Sequence, residues 1–246
     1  MIVAHIDTEG GRGSIADLIE SGKVVSYDGS TYEKAEQIYW ALYYGRIKCD
    51  VVVLDTLTTL VDRYVRDVTL DPENIRPDQG QTWWSQRKKM RTNQDVWNIV
   101  NFGIGQLMSG VRNLPQPSIF LAHETERDDP TAEVEVDRHM PALTPKILKM
   151  VMAYSDLVMR IYKSPTPFAL AGANWPANTR VLQLENTANA YTGVRLTPTV
   201  TGTLPQYIPD PTLAKLATAI GFLPKAMTVY GFPKVGKTVL ACTMPE

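Results

Sequence analysis

The chain is poor in cysteine, has no long apolar run and carries no excess of charge of either sign. Its two cysteines, Cys49 and Cys242, have the spacing of neither a disulfide framework nor a metal site. We therefore expect both to pack in the interior of a protein from a reducing compartment. No apolar stretch approaches the roughly 18 residues of a membrane span, and no signal-peptide pattern opens the sequence. These absences predict a soluble, cytoplasmic protein without a membrane partner.

The balance of charge also limits how the protein can meet nucleic acid. Lys and Arg number 25 against 26 Asp and Glu, which gives a formal net charge of −1. Without a global basic signal, any nucleic-acid binding has to be local. The apolar fraction of 44% over 246 residues suffices for one good α/β core. We predict a single domain over residues 1–246.

A phosphate-binding motif lies close to the end of the chain. Residues 231–238 read Gly-Phe-Pro-Lys-Val-Gly-Lys-Thr and fit the P-loop pattern G-x-x-x-x-G-K-[ST]. The apolar residues 227–230 before it predict a strand, and residues 237–242 predict the start of a helix, which is the context the motif needs. Lys237 would reach the β- and γ-phosphates of ATP, and Thr238 would hold Mg²⁺. The alternative is an ordinary glycine-rich turn. The predicted nucleotide-binding residues are Gly231, Pro233, Lys234, Val235, Gly236, Lys237, Thr238 and Val239.

Three other apolar segments end in polar side chains. Residues 2–9 end in Asp-Thr-Glu, residues 51–56 in Asp-Thr, and residues 118–124 in His-Glu. Each reads as a buried strand. Asp55, after four branched apolar residues, would be costly at a strand end without a cation or donor, so we predict that it binds Mg²⁺ together with Thr238.

The polar residues at these strand ends are candidates for catalysis. Asp7 and Glu9 are two apart, so we expect both to face the phosphates, with Glu9 as general base; a solvated strand end is the alternative. His123 is either a γ-phosphate sensor or a core histidine satisfied by the backbone. We expect His5 to point away from the site as a structural residue and His139 to be solvated.

Joined end to beginning, these motifs follow the order of a known family. Read with residue 246 continuing into residue 1, the chain resembles the RecA-like ATPase core, most closely the small phage ATPases that accompany single-strand annealing and recombination. The matching residues are 231–238, 6–11, 51–56, 121–124, 154–161 and 204–208. The P-loop is shared by NTPases generally, whereas Asp-Thr-Glu-Gly-Gly soon after the P-loop helix points to this family.

The resemblance implies a fold, an activity and partners. It implies a mainly parallel, doubly wound α/β sheet, which the alternation of predicted strands and helices also favours. It implies Mg²⁺-dependent ATP hydrolysis, with Glu9 as catalytic base and His123 as γ-phosphate sensor. The implied partners are single-stranded DNA, further copies of the chain in a ring or filament, and an annealing or single-strand-binding protein. The implied setting is the cytoplasm of a phage-infected bacterium.

The order of the motifs departs from this family. Three explanations are open: a circular permutation, a segment cut from a tandem array between two P-loops, or a truncated second domain at the C-terminus. We favour permutation, because the pieces complete one core and none is duplicated. The parent order would be residues 227–246 followed by 1–222, with the old ends joined near residues 223–226. The present chain ends should then lie within about 20 Å, a span of a few extended residues.

Two further predictions concern basic residues. RecA-like ATPases often complete their site with a Lys or Arg from a neighbouring subunit, and Arg195 falls where this Lys-x-Arg pattern is expected, although Gly193 replaces the Lys. Arg195 is therefore a candidate arginine finger, or else a surface residue. One basic cluster in the sequence has aromatic residues beside it. Its rings could stack on bases while its cations contact phosphates, which is how proteins bind single-stranded DNA. The alternative is the start of a helix whose cations are solvated. The cluster consists of Trp83, Trp84, Arg87, Lys88, Lys89 and Arg91.

Other segments give expectations about structure and about rival functions. We expect the acidic residues 124–143 to form a surface loop. Residues 180–184 and 191–196 predict strands, for which pairing as a hairpin is one arrangement. Residues 31–46 and 92–113 have helical apolar spacing. The leading prediction is an ATPase that binds single-stranded DNA. A small-molecule kinase on the same fold and a nucleotide-dependent assembly module are the alternatives.

Overall fold

Strands alternate with helices in the N-terminal half of the described chain, whereas several strands follow one another directly in the C-terminal half. The computed structural model describes residues 1–70, 93–128, 137–170, 172–194, 205–221 and 224–243. The strands are β1 Val3–Asp7, β2 Val24–Asp28, β3 Val51–Asp55, β4 Ser118–Asp128, β5 Asp137–Pro141, β6 Leu157–Lys163, β7 Phe168–Leu170, β8 Ala173–Trp175, β9 Arg180–Gln183, β10 Gly193–Val194, β11 Tyr207–Pro209 and β12 Ala226–Gly231. The helices are a 3-10 turn at Arg12–Ile15 and α1 Ala16–Glu20, α2 Tyr32–Tyr43, α3 Leu57–Leu70, α4 Asn93–Asn113, α5 Pro145–Tyr154, α6 Leu213–Ile220 and α7 Lys237–Cys242.

One sheet organises the described residues. Its strands follow the order β11-β9-β6-β12-β4-β3-β1-β2, with β10 beside β6 and β5 beside β4. The six strands from β6 to β2 are all parallel to their neighbours, and the strands beyond them pair antiparallel. The predicted mainly parallel α/β sheet is confirmed. The P-loop strand β12 is a central strand of this sheet, between β4 and β6.

Helices cover both faces of the sheet because its central strands are apolar on both sides. All five residues of β3 are buried, and Val52 and Leu54 face one core while Val51 and Val53 face the other. The first core receives apolar residues from α2, α3, α4 and α5. The second receives them from the 3-10 turn, α1, α6 and α7. The sheet is therefore doubly wound, as predicted.

The helix after β2 shows how local sequence sets these boundaries. Thr31 is extended and its side chain accepts a hydrogen bond from the backbone N of Lys34, so α2 begins at Tyr32 with a threonine cap. Ala35, Ile38 and Leu42 recur at helical spacing and are the buried residues of the helix. The helix ends at Tyr43, earlier than the predicted residue 46.

Residues 124–128 and 137–141 of the acidic segment form paired strands, called the β4–β5 hairpin here, where a surface loop was expected; residues 129–136 lie outside the described part of the chain. Strand β4 continues beyond the sheet to Asp128 and pairs antiparallel with β5. Each of these strands has a buried side chain, Glu124 in β4 and Met140 in β5. The number of acidic residues predicted a solvated loop, but one of them, Glu124, is buried and pairs with Arg160.

The late strands also pair differently from the suggested hairpin. Both β9 and β10 pair with β6, β9 along residues 160–163 and β10 at residues 157–158. They lie along the same strand because a free edge of β6 is long enough to accept both. Strands β2, β7, β8 and β11 are short and were not predicted. No helix among the described residues is long and apolar enough to cross a membrane.

Candidate nucleotide-binding site

The carboxyl ends of the parallel strands bring the predicted site residues to one edge of the sheet. Asp7 lies opposite Asp55 across β1 and β3, and His123 lies opposite Gly231 across β4 and β12. In open α/β sheets this edge is where ligands bind. Strand register thus gathers residues from positions 7 to 231 of the chain.

The P-loop has the backbone its motif requires. Gly236 has a φ of 95° and Lys234 a φ of 65°, so the loop passes twice through the left-handed region. A Cβ atom on Gly231 would lie 2.2 Å from the backbone O of Ile161. Glycine is therefore needed where the loop leaves β12 beside β6.

Lys237 is held inside the loop. Its side chain is almost fully buried, and Nζ donates to the backbone O of Gly231 and of Phe232 at 3.0 and 3.1 Å. Burial lowers the pKa of Lys237, while the nearby carboxylates of Asp55, Glu9 and Glu124 oppose that shift. The amine is thus preorganised, and exchanging loop carbonyls for phosphate oxygens would better compensate its charge.

Thr238 and Asp55, the two residues predicted to bind Mg²⁺, lie side by side. Thr238 Oγ1 donates to Asp55 Oδ2 over 2.5 Å, which joins the helix after the P-loop to the end of β3. A hydroxyl and a carboxylate oxygen side by side are hard donors of the kind Mg²⁺ prefers. The residues present therefore fit Mg²⁺, which Thr238 and Asp55 would hold and which would neutralise phosphate charge there.

The expectation that His5 points away from the site is wrong. His5 Nε2 lies 3.2 Å from Asp55 Oδ2, the same oxygen that accepts from Thr238, and Nδ1 lies 3.0 Å from Ser26 Oγ. His5 shares the face of Asp7 because the two are two residues apart on β1. Its ring reaches Asp55 diagonally across the strand pair and is completely buried. His5 therefore helps to position the carboxylate of Asp55.

Glu9 is held by three donors at a single oxygen. Its Oε1 accepts from Thr56 Oγ1, Thr59 Oγ1 and His123 Nε2, each at 2.6 Å. The hydrogen bond from His123 and those from the two threonines outweigh partial burial and lower the pKa of Glu9 to about 2. Because an ionised carboxylate only accepts, the proton of this contact lies on His123 Nε2.

His123 has a second ring nitrogen without a partner. The Nδ1 atom is buried and makes no hydrogen bond within the described residues. The backbone N of His123 donates to Thr58 Oγ1 at 3.0 Å, which fixes the residue at the point where β4 leaves the central sheet. Buried polar atoms usually have a hydrogen-bond partner, so this nitrogen is available to a polar group of a bound nucleotide.

The side chain of Asp7 binds the loop that follows β1, and, contrary to expectation, it does not point the same way as Glu9. Its Oδ1 accepts from the backbone N of Glu9, Gly10 and Gly11 at 3.0, 2.7 and 3.2 Å. Arg12 Nε lies 3.4 Å from the other oxygen. Asp7 therefore shapes the turn that carries Glu9 towards Thr56, and the two carboxylates have separate tasks.

A buried ion pair links the β4–β5 hairpin to the central strands. Arg160 donates through Nη2 and Nε to Glu124, at 2.7 and 3.2 Å. His139 is not solvated as expected, since its Nδ1 lies 2.7 Å from Glu124 Oε1. Its backbone O accepts from the hydroxyl of Tyr230, the residue before the P-loop, at 3.0 Å. The hairpin thus contacts the P-loop strand directly.

Several predicted residues lie outside the described part of the chain, and others were missed. Arg195 and the cluster of Trp83, Trp84, Arg87, Lys88, Lys89 and Arg91 fall outside it, so their roles stay predictions. Sequence reasoning missed Thr56, Thr59 and Arg160. The run Asp-Thr-Leu-Thr-Thr at residues 55–59 could have indicated the threonines, because hydroxyls directly after a strand-end carboxylate lie at the same edge of the sheet.

A doubly wound sheet with a P-loop strand at its centre and carboxylates at the same edge defines a P-loop nucleoside triphosphatase. The family model of the AAA domain matches residues 2–196, about four fifths of the chain, and the chain belongs to this family of AAA-type ATPases. The matched residues include Glu9, Asp55 and His123, and the P-loop follows them. No curated protein and no solved structure matches the chain significantly.

The environment of Glu9 predicts a contribution to acid stability. The folded pKa of about 2 lies below the ordinary 4.5, so Glu9 stabilises the fold above pH 4.5 and loses this effect as the pH falls towards 2. Glu9→Gln should flatten the fall in unfolding free energy over this range by about 1 kcal/mol, allowing for solvent screening of a partly exposed group. Chemical denaturation at several pH values measures it.

Thr59→Val is the companion variant. It removes one donor, so its acid dependence should lie between those of wild type and Glu9→Gln. Identical pH profiles for wild type and Glu9→Gln would show that the three hydrogen bonds leave the pKa of Glu9 unshifted.

Proposed function

We propose that the protein hydrolyses ATP at this edge, with Glu9 as base, Lys237 and the loop amides as phosphate ligands, and His123 as the γ-phosphate sensor. The observation that carries the proposal is the meeting of Glu9, His123 and the Thr238–Asp55 pair beside the P-loop. In hydrolysis a water oxygen bonds to the γ-phosphorus, the bond to the β-phosphate oxygen breaks, and the water proton passes to Glu9.

The hydrogen bonds of Glu9 set a condition on this step. A carboxylate with a pKa of about 2 is a poor proton acceptor. Turnover therefore requires Glu9 to exchange at least one of Thr56, Thr59 and His123 for the attacking water. His123 is suited to that exchange, because a ring that turns to a γ-phosphate releases Glu9 in the same movement.

Two variants separate nucleotide binding from hydrolysis. Lys237→Ala should abolish tight ATP binding, because it removes the buried cation of the loop. Glu9→Gln should keep ATP binding but lower kcat by about a hundredfold or more, the scale of a general base. Fluorescent-nucleotide titration and steady-state phosphate release measure the two effects.

Lys48→Ala is the matched control, since Lys48 is an exposed lysine before the amino end of β3, at the opposite edge of the sheet. It should behave as wild type. Equal turnover in wild type and Glu9→Gln would remove Glu9 from the reaction.

We further propose single-stranded DNA as the partner whose binding ATP controls. Support comes from the resemblance to phage recombination ATPases and from the aromatic and basic residues 83–91. Stimulation of ATP hydrolysis by single-stranded DNA would distinguish this function from its rivals. A small-molecule kinase would consume ATP only with its acceptor, and an assembly module would assemble with nucleotide without responding to DNA.

The DNA-binding segment can be tested by separating charge from stacking. A fourfold charge variant should weaken binding to an oligothymidine; it neutralises Arg87, Lys88, Lys89 and Arg91. It should also flatten the salt dependence by up to about 0.7 log unit for each phosphate that the variant no longer neutralises. Trp83→Ala or Trp84→Ala should cost about 1–3 kcal/mol with little change of slope if that ring stacks on a base. Fluorescence anisotropy over a salt series measures both quantities.

Phe102→Ala is a control for loss of an exposed aromatic ring, because Phe102 is 69% exposed on α4. It should bind the oligothymidine as wild type does. If the fourfold charge variant keeps both affinity and slope, residues 83–91 do not bind DNA. The exposed rings of Trp40, Tyr43 and Tyr44, with Arg46 over Tyr44, would be the next surface to test.

Assembly and partners complete the proposal. We propose that copies of the chain form a ring or filament in which Arg195 reaches a neighbouring site as an arginine finger. An annealing or single-strand-binding protein in a phage-infected bacterium is the proposed companion. The support is the resemblance alone, so the state of assembly with ATP and DNA decides it.

We also propose that the chain is a circularly permuted RecA-like core. The position of β12 between β4 and β6 supports this, because the P-loop strand completes the same sheet as the strands that carry Glu9 and Asp55. A second, truncated domain would place its P-loop strand in a sheet of its own.

Restoring the parent order tests the permutation. A variant opened within residues 223–226, with residue 246 joined to residue 1 by about six residues that span about 20 Å, should fold and bind ATP as wild type does. The measurements are its thermal unfolding and nucleotide affinity. A variant with the same linker but opened between β3 and α3 should fail to fold, and failure of both would count against the permutation.

A further inference from the structure

Arg180 lies against the P-loop. On β9 it pairs with Lys163 of β6, and Leu182, two residues further on, packs in the same core as Val235 and Leu240. Alternation therefore places Arg180 on the face of the sheet that carries the P-loop helix. A Cβ atom on Gly236 would lie 3.1 Å from Arg180 Nη1 and 3.3 Å from Cδ. Strand register and the loop contact agree on this position.

An ion pair at the surface holds the guanidinium there. Arg180 Nη2 donates to Asp210 Oδ1 at 3.0 Å, and the side chains of Arg180 and Asp210 are 30% and 54% exposed. The backbone N of Asp210 donates to the backbone O of Arg180 at 2.7 Å. Lys215 Nζ also lies 3.7 Å from the Asp210 carboxylate. Asp210 thus has a second cation and can release Arg180 without being left unpaired.

Exposed ion pairs contribute little to stability, so exchanging Asp210 for another anion costs little. A phosphate group is a stronger partner, because a guanidinium can donate to it through two parallel N–H bonds. In a P-loop the backbone amides cradle the α- and β-phosphates while the lysine reaches the β- and γ-phosphates. Arg180 stands beside Gly236, in the part of the loop that precedes this lysine.

We propose that Arg180 is a ligand, supplied by the same chain, of the α- and β-phosphates of the bound nucleotide, and that Asp210 holds it ready when no nucleotide is present. The proposal rests on nucleotide binding by the P-loop. It differs from the role of Arg195, which would act on a neighbouring subunit's γ-phosphate. Because ADP keeps both phosphates, Arg180 should serve ADP and ATP alike.

The test compares ADP with ATP in Arg180 variants. Arg180→Gln should weaken the binding of both nucleotides by a similar factor, about 10- to 100-fold, as expected for loss of a charged hydrogen-bonded partner. The ratio of the two dissociation constants should stay as in wild type. Arg180→Lys keeps the positive charge but loses the two parallel N–H donors of the guanidinium, so its nucleotide affinities should lie between those of wild type and Arg180→Gln. Titration of fluorescent ADP and ATP, with thermal unfolding without nucleotide as a check on folding, measures these effects.

Asp210→Asn is the matched control, since it frees Arg180 without removing it. It should bind ADP at least as tightly as wild type, whereas a purely structural Arg180–Asp210 pair would make both variants weaken binding together. Unchanged ADP affinity in Arg180→Gln, with no ADP binding by Lys237→Ala, would overturn the role of Arg180 and leave the P-loop site intact. Loss of ATP affinity alone would overturn the α,β assignment in favour of the γ-phosphate. No binding of either nucleotide by wild type would refute the nucleotide site itself.

Discussion

The close approach of the P-loop strand to β6 is the constraint on which the site depends. Gly231 lies so near Ile161 that no side chain fits between them, and on its other side β12 pairs residue by residue with β4. These two pairings fix where the loop leaves the sheet. That point sets the positions of the turn at Gly236, of Lys237 and of Thr238. These residues lie at the same edge of the sheet as His123 and within reach of Asp55. A shift of one residue in this register would turn every side chain of β12 to the other face.

Each carboxylate of the site has its own donors. Asp7 accepts from three backbone amides, Asp55 from Thr238 with His5 beside it, and Glu9 from two threonines and His123. Three acidic groups, Asp55, Glu9 and Glu124, lie near the buried Lys237, and each also has a donor of its own. The arrangement also separates their tasks. The buried carboxylates hold geometry, and the partly exposed Glu9 has donors that can be exchanged.

The β4–β5 hairpin connects this site to the surface. Its first residues, His123 and Glu124, have two different partners, which are Glu9 at the carboxyl edge of the sheet and Arg160 on β6. His139 on the returning strand meets both Glu124 and the hydroxyl of Tyr230. A change at the γ-phosphate that moved His123 would therefore act on the start of a hairpin that projects beyond the sheet. The described part of the hairpin is thus joined both to Glu9 and to the strand that precedes the P-loop.

The sequence by itself determined the elements whose signals are local. The P-loop could be predicted directly because glycines at fixed spacing and a Lys-Thr pair mark a specific backbone conformation. The parallel strands could be predicted because they are uninterrupted apolar runs that end in polar residues. Helix α2 could be predicted from its apolar spacing, whereas its threonine cap and its end at Tyr43 were seen only in the structure. The central positions of Glu9, Asp55 and His123 followed, since the ends of parallel strands share one edge.

Only the tertiary structure decided which side chains meet across that edge. Contacts of Thr59 with Glu9, His5 with Asp55 and Arg180 with Gly236 join residues 50 or more positions apart, and no local pattern encodes them. The same holds for the acidic hairpin, where composition predicted a solvated loop but the burial of Glu124 against Arg160 required pairing. Local sequence sets which conformations a segment prefers. The packing of distant strands sets which charges are buried together, and that determines the chemistry of this site.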